Sequence, residues 1–231
     1  MGFRAPGRDE GVHGAGMKYK LVVFDWDGTL IDSAGTIAEC IMESARDMGL
    51  AVPSREQASH VIGLGLQDSL RMAVPSLRAE QYVEFVAHYR RHFLAREDRM
   101  LLFSGVRELL EDLSGSRTLA IATGKSRRGL DRALDAGGLR RYFTASRCAD
   151  ETNPKPHPAM LLELMEELSV DREGTLMIGD TSHDLQMAQA AGVGAVAVTY
   201  GAHPEPGLRA CGPLGCVASV EELRAWLTRN A

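Results

Sequence analysis

No stretch of this 231-residue sequence approaches the roughly 20 consecutive apolar residues that a membrane-spanning helix requires, so no membrane partner is expected. Basic charge is not in excess either. Twenty-six Lys and Arg against 31 Asp and Glu leave a net charge of −5, which argues against a chain whose main partner is the nucleic-acid backbone. Small anionic substrates stay open, because local charge decides those. Cysteine is scarce: Cys40, Cys148, Cys211 and Cys216 are few for this length, which fits a reducing, cytoplasmic setting. Cys211 and Cys216 bracket GPLG with His203 upstream, and a loop with incidental thiols is expected there rather than a metal site. The opening MGFRAPGRDEGVHGAG has no hydrophobic stretch of the kind a secretory signal needs. Residues 1–16 are expected to be a disordered tail, with Met17 as the natural start. Internal repeats and low-complexity tracts are absent.

What is present is an ordinary globular balance, 45% hydrophobic and 25% charged. Short apolar runs at 19–24, 118–122, 142–146, 174–178 and 193–198 have strand composition. Amphipathic stretches at 105–114, 126–137, 157–168, 182–191 and 219–229 have helix spacing. This alternation predicts an α/β fold: a Rossmann-like parallel sheet with helices on both faces. Residues 32–100 break the alternation, with helical stretches at 34–49, 54–61, 66–73 and 78–98 and no convincing strand. They predict an all-helical cap domain inserted after the first strand, leaving 17–31 and 101–231 as the core.

The polar residues of interest fall where strands end. LVVF runs into Asp25-Trp26-Asp27-Gly28-Thr29, TLAIA into Thr123-Gly124-Lys125, and TLMI into Gly179-Asp180-Thr181-Ser182-His183-Asp184. Lys155 lies in the proline-rich loop Asn153–Pro158. Ligands of open parallel sheets bind beyond the carboxyl ends of the strands, so these segments are expected to meet in one crevice. Carboxylates ~6 Å apart repel by roughly 3 kcal/mol per pair at an effective dielectric of ~20. A divalent cation relieves that strain, and a site of carboxylates without histidine or thiolate favours Mg²⁺. With Lys155, the Thr123 hydroxyl and the helix start after Lys125, the crevice has the makings of a phosphoryl pocket. Asp25 is then placed to attack phosphorus, and Asp27 to move the protons.

FDWDGTL, IATGK, NPKPHP and GDTSHD, in that order, resemble the haloacid dehalogenase superfamily, in its phosphatase branch. The resemblance implies Asp25 as nucleophile and Asp27 as general acid/base, with the Asp27 backbone carbonyl also offered to Mg²⁺. It implies Thr123 and Lys155 as holders of the phosphate, with Gly124 and Lys125 beside the substrate. Asp180 would be the acidic metal ligand and Asp184 would lie behind it or reach the metal through water. Residues 32–100 correspond to the helical cap of the phosphoglycolate phosphatase-like group, and HVIGLG at 60–65 to a region where such caps read the substrate. The implied activity is Mg²⁺-dependent hydrolysis of a small phosphorylated metabolite, phosphoglycolate-like or a sugar phosphate, by a monomer or weak homodimer. A phosphomutase, or a catalytically silent phosphate-binding module, are the alternatives. Asp27 separates this branch from the dehalogenases, which lack a second aspartate there. TGKS is not a nucleotide P-loop, since Leu119 stands where that motif needs glycine, and GLGLQD has Asp68 where a dinucleotide fingerprint needs its third glycine. His183 is expected to be exposed beside the site, and Arg71, Arg78, Arg90, Arg91 and Arg96 to be solvated helix faces.

Overall fold

The computed structural model describes residues 18–230. Six strands form one sheet: β1 (Leu21–Phe24), β2 (Thr118–Thr123), β3 (Ala145–Cys148), β4 (Thr175–Gly179), β5 (Gly194–Val198) and β6 (Gly215–Val217). Their order is β3-β2-β1-β4-β5-β6, and every pairing is parallel. The α/β sheet expected from the alternating pattern is the fold. All four residues of β1 are fully buried because the strand is central and covered on both faces. Val22 and Phe24 point into one core, Leu21 and Val23 into the other.

Ten helices accompany the sheet among the described residues. The first four are α1 (Ala34–Asp47), α2 (Arg55–His60), α3 (Leu66–Ala73) and α4 (Tyr82–Leu94). Then follow α5 (Val106–Ser114), α6 (Arg127–Gly137), α7 (Ala159–Leu168), α8 (Ser182–Ala191), α9 (Glu205–Ala210) and α10 (Val220–Asn230). Leu109 of α5, Leu130 of α6 and Leu223 of α10 cover one sheet face. Leu164 of α7 and Leu185 of α8 cover the other. Helices α1–α4 bury their apolar stripes against one another, in a separate cluster that includes Ile41, Leu70 and Phe85. The chain enters and leaves this helical segment through a narrow neck. Ile31 and Leu102 form an antiparallel bridge, and the Asp32 N–H donates to the Leu101 carbonyl at 2.9 Å.

Several expectations need correction. The strand placed at 142–146 starts at Ala145, and residues 140–142 form a 3₁₀ turn. Leu139 and Tyr142 are apolar at a spacing of three, which suits one helical turn packed on the core better than an alternating strand. The stretch 78–98 is α4 flanked by 3₁₀ turns at 79–81 and 97–99. Strand β6 and helix α9 were not anticipated; three and six residues are too few to show a period. The expected tail at 1–16 and the start at Met17 lie outside the described residues. No helix among the described residues is long and apolar enough to cross a membrane.

Candidate active site

Phe24 lies opposite Ile121 of β2 and Ile178 of β4, so Asp25, Thr123 and Asp180 leave three adjacent strands at the same edge. The Asp25 N–H still donates to the Ile178 carbonyl at 2.9 Å, which continues the β1–β4 pairing one residue past the strand and fixes where its side chain starts. Asp180 is fully buried and held on both oxygens. The Thr29 hydroxyl donates to Oδ1 at 3.0 Å and the Ala202 N–H to Oδ2 at 2.6 Å. Gly28 makes this possible: its φ of +86° turns the chain sharply, and a Cβ there would collide with the Asp180 carboxylate. Asp184 sits in the first turn of α8. Its Oδ2 accepts from the Thr181 N–H at 3.0 Å and the Thr181 hydroxyl at 2.7 Å, so one oxygen caps the helix while Oδ1 faces Lys155.

Lys155 lies between acids, its side chain fully buried, with Nζ 2.5 Å from Asp25 Oδ1 and 2.7 Å from Asp184 Oδ1. Burial alone favours a neutral amine, but Asp184 and Asp25 hold its pKa above the ordinary lysine value, so it is an ammonium. One ammonium does not balance three buried carboxylates. Burial pushes Asp25 from its ordinary 3.8 up to about 7, with Lys155 pulling down and Asp184 pushing up. Burial and the charges of Asp25 and Asp184 raise Asp180 as well. Oxygens of Asp25, Asp180 and Asp184 lie within 4.8 Å of one another, and Asp25 Oδ2 is buried without a hydrogen-bond partner. An orphaned anionic oxygen within an all-carboxylate set fits a hard divalent cation such as Mg²⁺, which would replace the protons these acids otherwise need.

The Asp27 carboxylate stands apart from that trio. Lys125 Nζ donates to both of its oxygens at 3.0 Å, and the Ser33 hydroxyl to Oδ1 at 2.8 Å. The Lys125 ammonium also lies 4.9 Å above the Phe93 ring, so it is engaged by the helical segment rather than solvated. Thr123 is fully buried at the end of β2, where its hydroxyl accepts from the Lys125 N–H at 3.2 Å. Ser126 caps α6 by accepting from the Gly129 N–H at 3.3 Å. Gly124 has no room for a side chain, because a Cβ would come within 2.5 Å of the Leu64 carbonyl and 2.6 Å of the Gly63 carbonyl. The 61–65 loop therefore presses directly on the β2 exit. Beside this contact lies a cavity of about 410 Å³ with Asp25 and Asp27 in its wall; Val61, Ile62 and Leu64 also line it.

His183 is buried, not exposed as expected. The His60 carbonyl accepts from Nε2 of His183 at 2.9 Å and from Nε2 of His203 at 3.0 Å. The Ser182 N–H donates to His203 Nδ1 at 3.1 Å, which assigns the proton of that ring to Nε2. Burial pushes His203 down to about 4 and lowers His183 too, so both rings are neutral donors. This contact between α2 and the core was missed, since nothing local ties residues 60, 183 and 203 together. The arginines form no common anion site: Arg91 pairs with Asp47 at 2.7 Å, Arg96 with Glu43 at 2.7 Å and Arg78 with Glu80 at 3.5 Å. Arg71 is exposed, and Arg90 lies at the cavity mouth.

Residues 22–198 match the family model of the haloacid dehalogenase-like hydrolases. A Dickeya dadantii protein named "Probable phosphatase IndB" is 37% identical over 210 residues, covering 88% of this chain and 91% of its own. A phosphoglycolate phosphatase of Aliivibrio fischeri is 33% identical, covering 81% of this chain and 87% of its own. Among solved structures, a hydrolase from Pseudomonas syringae superposes with a TM-score of 0.83 at 21% identity, over 92% of this chain and 99% of that one. That likeness speaks for the fold.

Proposed function

Because the chain belongs to the haloacid dehalogenase-like hydrolase family, we propose that it is a magnesium-dependent phosphatase that hydrolyses small phosphomonoesters through a phosphorylated aspartate. The two relatives above, matched over 91% and 87% of their own length, are named phosphatases, and phosphoric monoester hydrolysis is the chemistry this site suits. The observation that carries the reading is Asp25: buried, gripped on Oδ1 by Lys155, and unpartnered on Oδ2 beside two further buried carboxylates.

Asp25, Asp180 and Asp184 would hold Mg²⁺, whose charge would offset that of the phosphate oxygens. The Thr123 hydroxyl and the N–H groups of the turn at 124–126 are donors for the same phosphate, together with Lys155. An Asp25 oxygen bonds to phosphorus as the ester P–O bond breaks. The arriving phosphate dianion competes for Lys125, which frees the Asp27 carboxyl to carry a proton toward the leaving oxygen. It gives that proton to the leaving oxygen, then takes one from the water that attacks the aspartyl phosphate. Inorganic phosphate leaves and Asp25 is restored. Residues 32–100 act as the cap, closing the cavity against bulk water and contacting the leaving group. The substrate is a small phosphorylated metabolite, a class that includes sugar phosphates and the phosphoglycolate named for one relative.

A phosphate-release assay tests this. EDTA should abolish turnover and added Mg²⁺ restore it, and Asp25→Asn should lower kcat by orders of magnitude with an unchanged circular dichroism spectrum. Survival of activity in Asp25→Asn rules out the nucleophile; an isomerised sugar phosphate in place of free phosphate means a mutase.

A further inference from the structure

The helical segment's side of the cavity is built largely of hydrocarbon, and we propose that the ester this site takes has a predominantly apolar leaving group, aromatic or branched aliphatic. The inference rests on the phosphatase reading above. The cavity's volume, about 410 Å³, falls in the range of pockets that enclose drug-sized molecules, far more room than a two-carbon glycolyl group fills. On the helical segment's side its lining includes Ile37 and Ile41 of α1, Ile62 and Leu66 around the 61–65 loop, and Tyr89 and Phe93 of α4, with Ser69 and Arg90 the polar residues there. The Tyr89 and Phe93 rings lie 5.9 Å apart and 26° from parallel, forming a continuous aromatic strip.

The cations near this wall are engaged elsewhere. Lys155 is enclosed by Asp25 and Asp184, and Lys125 is held by Asp27 at 3.0 Å until the phosphate itself arrives. Arg90, Arg128 and Arg132 border the cavity but are exposed, where water already solvates them, and Arg132 is paired with Glu97 at 2.8 Å. A leaving group ending in a carboxylate or a second phosphate would exchange its hydration for isoleucine and phenylalanine, with only exposed arginines at the border to compensate. An apolar body meets no such cost and gains from every part of its surface removed from water. The α1 and α4 side chains therefore select the alcohol, while the strand ends hold the phosphate that all such esters share.

The test is kcat/KM for phosphate release by the full chain with Mg²⁺ on four alkyl esters: benzyl phosphate, 3-methylbutyl phosphate, 2-phosphoglycolate and glycerol 3-phosphate. All four leave as alcohols of saturated carbon once the leaving oxygen is protonated, so the cavity decides the ranking. A single methylene in an apolar pocket is worth roughly tenfold or more, so at least one of the first two should exceed both of the others by about tenfold or more. A smaller advantage, or a preference for phosphoglycolate or glycerol 3-phosphate, overturns this inference and leaves the phosphatase reading standing. No release from any ester overturns that reading, and the inference with it. Leu66 is half-buried at the cavity wall, and Leu66→Gln should lower the benzyl-to-phosphoglycolate ratio. An unchanged ratio counts against the wall as the selecting surface.

Discussion

Lys155 has lost all its water, and two carboxylates stand in for it. Exposed ion pairs contribute little, but removing one partner of a buried one leaves charge with nothing to balance it. Lys155→Met should therefore destabilise the metal-free protein by roughly 3–5 kcal/mol in urea unfolding at pH 8. At pH 5 the loss should shrink, because Asp25, already pushed up to about 7, then carries a proton and needs a counter-charge less. Equal losses at both pH values would mean that Lys155 acts through packing rather than charge. Asp184 shows how one side chain serves two ends: Oδ2 caps α8 while Oδ1 faces the ammonium. Reading it as a helix cap or as a site residue is therefore no choice at all.

At the scale of elements, the 61–65 loop is packed backbone to backbone against the exit of β2. The atoms a Gly124 side chain would meet are backbone carbonyls of Gly63 and Leu64, which cannot rotate away as a side-chain tip can. Gly124→Ala should lift the loop off the strand end. Misplacement by about 1 Å can cost on the order of 100-fold in rate; kcat/KM should fall by that order while the far-ultraviolet spectrum stays native. A wild-type rate would show that the loop yields freely. The sequence made the core legible where a pattern was long enough: the apolar runs of β1, β2, β4 and β5 and the polar residues just beyond them lie where alternation put them. The approach of Asp25 and Asp180 followed from parallel topology, since β1 and β4 are neighbours, and Asp184 comes with Asp180 because α8 starts directly after β4. The rest was not legible because it depends on how the helical segment folds back. The Lys125–Phe93 contact and the hydrogen bonds from His183 and His203 to the His60 carbonyl join residues far apart in sequence, and no local period foretells them.

For the molecule as a whole, the acidic site ties stability to pH and metal. Asp25 has a folded-state pKa of about 7 against an ordinary 3.8, so between those values the folded chain holds more protons than the unfolded one. By linkage, this group makes the metal-free protein less stable as pH rises from about 4 to about 7, with no further loss above that. A cation takes the place of the proton. Saturating Mg²⁺ should therefore raise Tm by a few degrees or more at pH 8 and by much less at pH 5, as scanning calorimetry would report. A shift of the same size at both would mean that the cation binds elsewhere.

The neck at Ile31 and Leu102 has its own implication. Where the helical segment departs and where it returns, the two chain paths are one hydrogen bond apart. Any foreign segment whose ends lie equally close could be spliced in at that seam without asking β1 or α5 to move, and the entropy of closing the loop changes only slowly with the length of the insert. A chimera made there would keep the acidic strand ends and acquire a new chamber above them, so recombination at a single place is enough to hand the same chemistry a different clientele.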